Sequence, residues 1–172
     1  MSVLITGAQY FTRTTGLSGT INPCSFSAWF RLTADLNTYN NVLCLGDTNT
    51  APGIGSDTDG TTVGCSIVDS GNNYTMLGTV NLSLNTWYWC GASLANGAQA
   101  AVTAPASTAS PTISTSSIAT LSAVNVTLIG VSRSNGPSDP WRGEIAHCKV
   151  WQAALTQAEL MQERWLAAPS RR

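Results

Sequence analysis

Charge is what this sequence has least of. Eight Lys and Arg and nine Asp and Glu make up 10% of its 172 residues, against about 25% in an average soluble protein. The net charge is −1, and of the basic residues only Arg171 and Arg172 adjoin. No basic stripe of the kind that binds nucleic acid is therefore present. No run approaches the roughly 20 apolar residues of a membrane span. The opening residues, Met1 to Gly7, have neither a basic region nor a long apolar one, so no signal peptide is read there. Cys24, Cys44, Cys65, Cys90 and Cys148 include no C-x-x-C pair, which excludes the common zinc and redox spacings. Most of them sit in strand-like runs. Without a secretion signal all five read as reduced core thiols, and the sequons at Asn73, Asn81 and Asn125 carry no meaning.

A surface with so few charges must be built of Thr, Ser, Asn and Ala. Interface cores are depleted in charge in the same way, so packing in an assembly, a homo-oligomer included, stands beside a neutral polar monomer. The length suits one domain with a real core, spanning residues 1–172.

The most informative stretch runs from Trp141 to Leu160. Its first half, with no proline after Pro140, is rich in β-branched, aromatic and small residues and reads as a strand. Its second half starts a helix. Thr156 and Glu159 have capping-box spacing, and Leu155 and Leu160 stand where a hydrophobic staple would close around the cap. The helix should end near Leu166, because Pro169 cannot continue it. A glycine-led strand followed by aromatic-x-Ala-Ala-Leu-Thr-x-x-Glu-Leu resembles the closing segment of the laminin-G-like, concanavalin A-like jelly rolls. Gly143, Ile145, Cys148, Val150, Trp151, Ala154, Leu155, Thr156, Glu159 and Leu160 carry the likeness. It implies that Ile145, Cys148 and Val150 face the core. Strict alternation cannot place 145 and 148 on one face, so a β-bulge is expected near Ala146.

Two further segments match the same family. Phe26-Ser-Ala-Trp-Phe-Arg31 alternates as a strand and resembles its Phe-Thr-x-x-Trp-Phe-Arg. Asn85 to Gly97 resembles its x-x-Trp-x-x-Val-Ala-x-x-x-x-Asp-Gly, with Trp87 at the Trp, and Asn96-Gly97 favours a tight hairpin turn. Between these, Val42 to Leu45 reads as a strand and Asp47 to Gly60 as a long loop. Thr62 to Asp69 and Tyr74 to Val80 read as a hairpin, and Pro105 to Ser117 as a loop or edge excursion. Val124 to Ser132 reads as a strand and Arg133 to Pro140 as a loop. The fold class expected is all-β: a two-sheet antiparallel jelly-roll β-sandwich with a short C-terminal α-helix.

The family resemblance includes glucanases, which need paired carboxylates about 5 Å apart for retaining cleavage. The only glutamates are Glu144, Glu159 and Glu163, and Glu144 has no acidic neighbour in its strand. His147 is the single histidine, and Cys148 beside it points to the other face of a regular strand. No Gly-x-Ser-x-Gly, phosphate loop or dinucleotide fingerprint occurs. The sequence therefore reads as a non-enzyme.

Binding remains. Six Trp and four Tyr form a sizeable aromatic set, and aromatic faces stack on sugar rings. Trp29, Trp87 and Trp151 take core or near-core positions of the family, and Trp165 is expected to pack the helix on the sheet. The polar loops 36–41, 47–60, 72–74 and 133–141 hold the candidate ligand-binding residues. Tyr39, Tyr74 and Trp141 are there for stacking, and Asn135 and Asp139 for hydroxyl groups. Asp57-Thr58-Asp59-Gly60 has the outline of a calcium loop without the later Glu of an EF-hand, and Asp and Gly also make ordinary turns. Asp47, Asp57 and Asp59 are the candidate ligands if Ca2+ binds; no other cofactor is implied. The expected function is recognition or adhesion, with a glycan or cell-surface polysaccharide as partner. The rival is a virion structural or decoration protein that meets other virion proteins. An adhesion-type fold without a signal peptide suits a phage particle, which is released by lysis; otherwise a cytoplasmic location is expected.

Overall fold

In the computed structural model of the protein the described residues are 2–6, 11–13, 23–34, 40–45, 53–56, 62–68, 74–95, 98–105, 112–116, 127–130 and 140–166. They form two antiparallel six-stranded sheets and one helix. Numbered along the chain, the first sheet has the order β1 (Ser2–Thr6), β12 (Arg142–Trp151), β3 (Cys24–Leu32), β8 (Trp87–Ala95), β9 (Ala98–Pro105), β10 (Thr112–Ser116). The second has the order β2 (Phe11–Arg13), β11 (Thr127–Ile129), β4 (Asn41–Cys44), β5 (Gly53–Ser56), β6 (Thr62–Val68), β7 (Tyr74–Asn81). Helix α1 is Gln157–Leu166.

Alternation explains the core. Phe26, Ala28, Phe30 and Leu32 of β3 meet Tyr88, Cys90, Ala92 and Leu94 of β8 and Ile145 of β12. Facing them are Val42, Leu43, Leu45, Ile54 and Val63 from the second sheet. Each large side chain removed from water contributes about 1.5–3 kcal/mol. The intervening residues of the first sheet are apolar too. Trp29, Trp89 and Ala146 lie on its outer face and pack with Leu160 of α1, with Trp87, Leu155 and Met161 at the margin. This sheet is thus covered on both faces, which is why Trp-Tyr-Trp-Cys at the start of β8 shows no polar alternation. A Cβ at Gly91 would come within 2.6 Å of the Trp89 ring, so glycine there makes room for it.

The bulge stands where the spacing requires it. The β12–β3 register slips between Ala146 and Lys149, and His147 takes the left-handed conformation, φ 51°. Ile145, Cys148 and Val150 consequently all pack against the core. Burial pushes the thiols of Cys24 and Cys148 up to about 12, which leaves both protonated and unreactive at neutral pH. Cys24, Cys44, Cys90 and Cys148 are thiols rather than disulfide halves, and the Cys65 side chain lies outside the described set.

The helix start is the capping box that the spacing predicts. Thr156 N–H donates to Glu159 Oε2 at 2.7 Å, and Glu159 N–H donates to Thr156 Oγ1 at 3.3 Å. Ser25 of β3 fixes the approach to it, donating to the Ala153 carbonyl at 2.7 Å and accepting from Leu155 N–H at 2.8 Å. Lys149 pairs with Glu163 and ties α1 to β12. Trp165 corrects an expectation: it is 61% exposed, because Leu160 and Arg164, four residues apart, form the buried face. The Arg164 guanidinium lies 4.9 Å from the Trp165 ring centre. Loss of the cap in Thr156→Ala should lower stability by about 1 kcal/mol, read as a shift in the denaturant midpoint. The hydrogen bonds from Thr156, backbone first, hold the Glu159 carboxyl below its usual range. Its contribution is therefore complete above the free-carboxylate range and is lost as pH falls through the folded value. The difference between wild type and Thr156→Ala should shrink in acid.

One loop boundary differs from expectation. Residues 47–60 are not all loop, since Gly53–Ser56 is β5. Gly-Ile-Gly-Ser offers one β-former and no periodicity, yet its first glycine is needed: a Cβ on Gly53 would lie 2.2 Å from the Leu43 carbonyl oxygen. The stretch 105–117 is the excursion to an edge, with Thr112–Ser116 pairing β9 as β10. Within 124–132 the described strand is only Thr127–Ile129. The β6–β7 and β8–β9 hairpins form as expected, the second closing at Ala95 and Ala98. The turn residues Asn96 and Gly97 lie outside the described set.

Candidate functional site

Because every pairing is antiparallel, odd-numbered strands stop and even-numbered strands start at one end of the sandwich. Segment 35–39 joins Ala34 to Asn40 at this end, 57–61 joins Ser56 to Thr62, and 131–139 joins Gly130 to Pro140. Their attachment points are bonded to one another. Ser56 N–H donates to the Asn40 carbonyl at 2.8 Å, and Asn40 N–H donates to Ser56 Oγ at 2.9 Å. Asn40 Nδ2 reaches the same hydroxyl at 3.3 Å. Pro140 bridges Asn41, and Trp141 N–H donates to the Gly130 carbonyl at 2.9 Å, closing the base of 131–139. Thr33 N–H donates to the Arg142 carbonyl at 3.1 Å and extends the β3–β12 pairing of the first sheet at this end. Asn40 and Ser56 are buried polar residues that sequence reasoning did not single out. A lone Asn and Ser at strand ends give no signal until their pairing is known.

The predicted site residues divide accordingly. Tyr39, Asp57, Asp59, Asn135 and Asp139 lie outside the described residues, but their segments all attach at this end. Asp47 also lies outside; its segment joins Cys44 and Leu45 to Gly53, which pair at the opposite end of β4 and β5. Tyr74 opens β7 opposite Val68, at that opposite end too. Topology therefore separates Asp47 from Asp57 and Asp59, and Tyr74 from Tyr39.

Trp141 is a correction. It was expected in a polar loop, open to a ligand, and is instead 0% exposed. Its ring stands edge-on to Phe30, with centres 5.4 Å apart and planes at 80°. Counting back in twos from Ile145 through Gly143 reaches Trp141, so the core face of β12 continues into it. Its Nε1 finds no hydrogen-bond partner among the described residues.

Two features flank this end. On the outer face of the first sheet Arg31 pairs with Glu144 at 2.7 Å, and its guanidinium lies 5.5 Å from the Trp87 ring centre. In the turn before β8, Asn85 takes φ 62° and Leu84 is 48% exposed. Tyr88 Oη secures that turn, donating to the Asn81 carbonyl at 3.2 Å and accepting from Ser83 N–H at 2.8 Å.

Each glutamate has a structural partner: Arg31 for Glu144, the cap for Glu159, Lys149 for Glu163. His147 is exposed on its bulge, and its imidazole is pulled below the usual range by desolvation first and then by nearby positive charge, Lys149 included. Among the described residues no three His, Cys, Asp or Glu gather as a metal-ligand group, and no helix is long and apolar enough to cross a membrane.

A family model described as concanavalin A-like lectin/glucanases superfamily, of laminin-G type, matches residues 6–161. No curated protein matches the sequence. Among solved structures, the carbohydrate-binding module of a Ruminococcus gnavus sialidase, bound to α2,3-sialyllactose, superposes with a TM-score of 0.68 at 13% identity, covering 94% of each chain. A heptameric pentraxin of Limulus polyphemus gives 0.67 at 14% identity, over 92% of this chain and 79% of that one. A tailspike protein of an Escherichia coli O157:H7 bacteriophage gives 0.66 at 12% identity; 94% of this chain is covered, but only 24% of the tailspike. At these identities the likenesses establish the fold. With the family match over most of its length, the chain belongs to the concanavalin A-like lectin/glucanase superfamily.

Proposed function

We propose that the protein is a non-catalytic carbohydrate-recognition module whose ligand meets the end of the sandwich where segments 35–39, 57–61 and 131–139 attach. The observation that carries this reading is the bonded cluster of Asn40, Ser56, Pro140 and Trp141, which fastens all three segments to one rigid base. Loops on a rigid sandwich carry variable recognition. The outer face of the first sheet is taken by α1, which leaves the loop end as the better site. On this reading Tyr39 stacks on a sugar ring, Asn135 and Asp139 bind hydroxyl groups, and Asp57 and Asp59 hold Ca2+ if a cation takes part. Tyr74 and Asp47 fall out of the site. The carbohydrate-binding module among the similar structures supports the glycan, and the tailspike supports a virion as the setting.

A glycan and cell-surface polysaccharide screen, with and without chelator, tests this. A single site should bind in the micromolar-to-millimolar range, about −8 to −4 kcal/mol. Tyr39→Ala and Asp139→Ala should weaken binding about tenfold, equivalent to about 1.4 kcal/mol, while Tyr74→Ala and Asp47→Asn leave it unchanged. Binding abolished by chelator and by Asp57→Asn would establish the cation. Full binding by Tyr39→Ala and Asp139→Ala would move the site elsewhere, and failure to bind any glycan would refute the function.

A further inference from the structure

On the outer face of the first sheet the side chains stand in rows across β8, β3 and β12. The row Trp89, Trp29 and Ala146 packs with Leu160 of α1. One row nearer the loop end stand Trp87, Arg31 and Glu144. The last row is Thr33 and Arg142, joined by the bonds that Thr33 N–H and Oγ1 donate to the Arg142 carbonyl, at 3.1 and 3.3 Å. Arg142 follows Trp141, whose N–H closes the base of segment 131–139, so it stands at the root of that segment.

The charges of the described residues are matched unequally. Arg31 is held by Glu144 and Lys149 by Glu163, and Arg164 is buried. Arg142 is exposed, and its guanidinium has neither an ion pair nor a hydrogen bond among the described residues. Glu144, two residues on along the same face, is already engaged with Arg31. β1, which flanks Arg142 on its other side, is Ser-Val-Leu-Ile-Thr and brings no charge. Asp57 and Asp59 belong to the segment between β5 and β6, strands of the second sheet, and packed sheets lie about 10 Å apart. Asp35 and Asp139, of the flanking segments, lie outside the described residues. In the described part of the sandwich one cation is thus left uncompensated, and it is at the rim of the candidate site.

We infer that Arg142 determines the specificity of this site by reading an anionic group, carboxylate or sulfate, so that the ligand is an acidic polysaccharide. The inference rests on the carbohydrate reading above and names its ligand class. A guanidinium donates only, and its planar fork takes both oxygens of a carboxylate or two of a sulfate. Such charge-assisted bonds are about twice as strong as neutral ones, so a ligand with an anion gains what a neutral sugar cannot. Thr33, exposed beside Arg142, spends its hydroxyl proton on the Arg142 carbonyl and keeps its lone pairs. It can accept from a sugar hydroxyl next to the anion, which favours a sugar acid over a bare anion.

Binding of the whole chain to matched polymers tests it: polygalacturonate, alginate and hyaluronate, each beside its carboxyl-reduced form, and dextran sulfate beside dextran. Wild type should prefer the anionic member of at least one pair about tenfold, and the preference should shrink as salt rises. Which pair responds tells carboxylate from sulfate. Arg142→Gln should abolish the preference, and Arg142→Lys should restore part of it, because lysine keeps the charge without the fork. The denaturant midpoint of both variants should match wild type, since the side chain is exposed and bonds nothing. Arg171→Gln, a change of charge away from the site segments, should keep the preference. Equal binding of anionic and neutral members overturns the inference and leaves the carbohydrate reading standing; failure to bind any glycan removes both. A preference that survives Arg142→Gln, or that Arg171→Gln abolishes equally, also overturns the inference.

Discussion

Trp141→Ala should be among the most damaging single changes this fold can suffer. The side chain is fully buried and edge-on to Phe30, in a core shared by both sheets. Truncating a buried Trp removes its transfer free energy and leaves a cavity that the surroundings fill only in part, a loss of about 3–5 kcal/mol. Stabilities of domains are about 5–15 kcal/mol, so a large share of the margin goes. Trp141 N–H also closes the base of segment 131–139, but that bond is made by the backbone and survives the substitution. The expected result is a large fall in denaturant midpoint at unchanged slope, with glycan affinity retained in the fraction still folded. A loss under about 1 kcal/mol would show that Trp141 is not a core residue. Loss of binding at full stability would restore it to the site.

Gly143→Ala should be severe for a different reason. A Cβ there would sit 2.0 Å from the Arg31 carbonyl oxygen and 3.0 Å from the Leu32 Cα, both backbone atoms of the neighbouring strand. Gly143 pairs with Leu32 in the β12–β3 ladder, so relief requires the strands to part. Overpacking typically costs about 1–3 kcal/mol and more where nothing yields; the upper end or beyond is expected. Gly91→Ala provides the comparison, because the atoms nearest its Cβ would all be those of the Trp89 side chain. Thermal melts of both should rank Gly143→Ala as the less stable. Equal melting points would mean that the ladder adjusts as easily as a ring.

These two residues also mark what the sequence made legible. The Thr156–Glu159 cap was readable because it rests on chemistry within a few residues, a hydroxyl and a carboxylate at capping spacing. The bulge at Ala146 followed from the family pattern, and Gly143 was legible only as a position in that pattern, since what demands it is the Arg31 carbonyl of the neighbouring strand. Trp141 was misread because proximity to a Gly/Pro-rich loop outweighed its place in the alternation of β12. Trp165 was misread because a large aromatic on a helix was assumed to face inward, whereas the stripe through Leu160 and Arg164 decides the face. β5 was invisible because its glycines are demanded by the close approach of β4, a neighbour known only once the strands pair. The candidate site was legible only as separate loops for the same reason. Polar loops can be picked out one by one, but which of them share an end depends on strand order. That order separates Asp47 and Tyr74 from the rest.

The place of β12 between β1 and β3 governs how the molecule comes into being. Residues 2–6 pair with 142–146, and 25–32 pair with 143–151. A chain leaving the ribosome cannot complete its first sheet until this last strand has emerged, and until then β1 has no neighbour and β3 presents an open edge. Closing a loop of such length is entropically expensive before any contact rewards it. Folds dominated by such distant pairings fold in milliseconds to seconds rather than microseconds. The side of β3 that faces β12 thus stays unpaired until β12 has emerged, although β8 can already pair its other side.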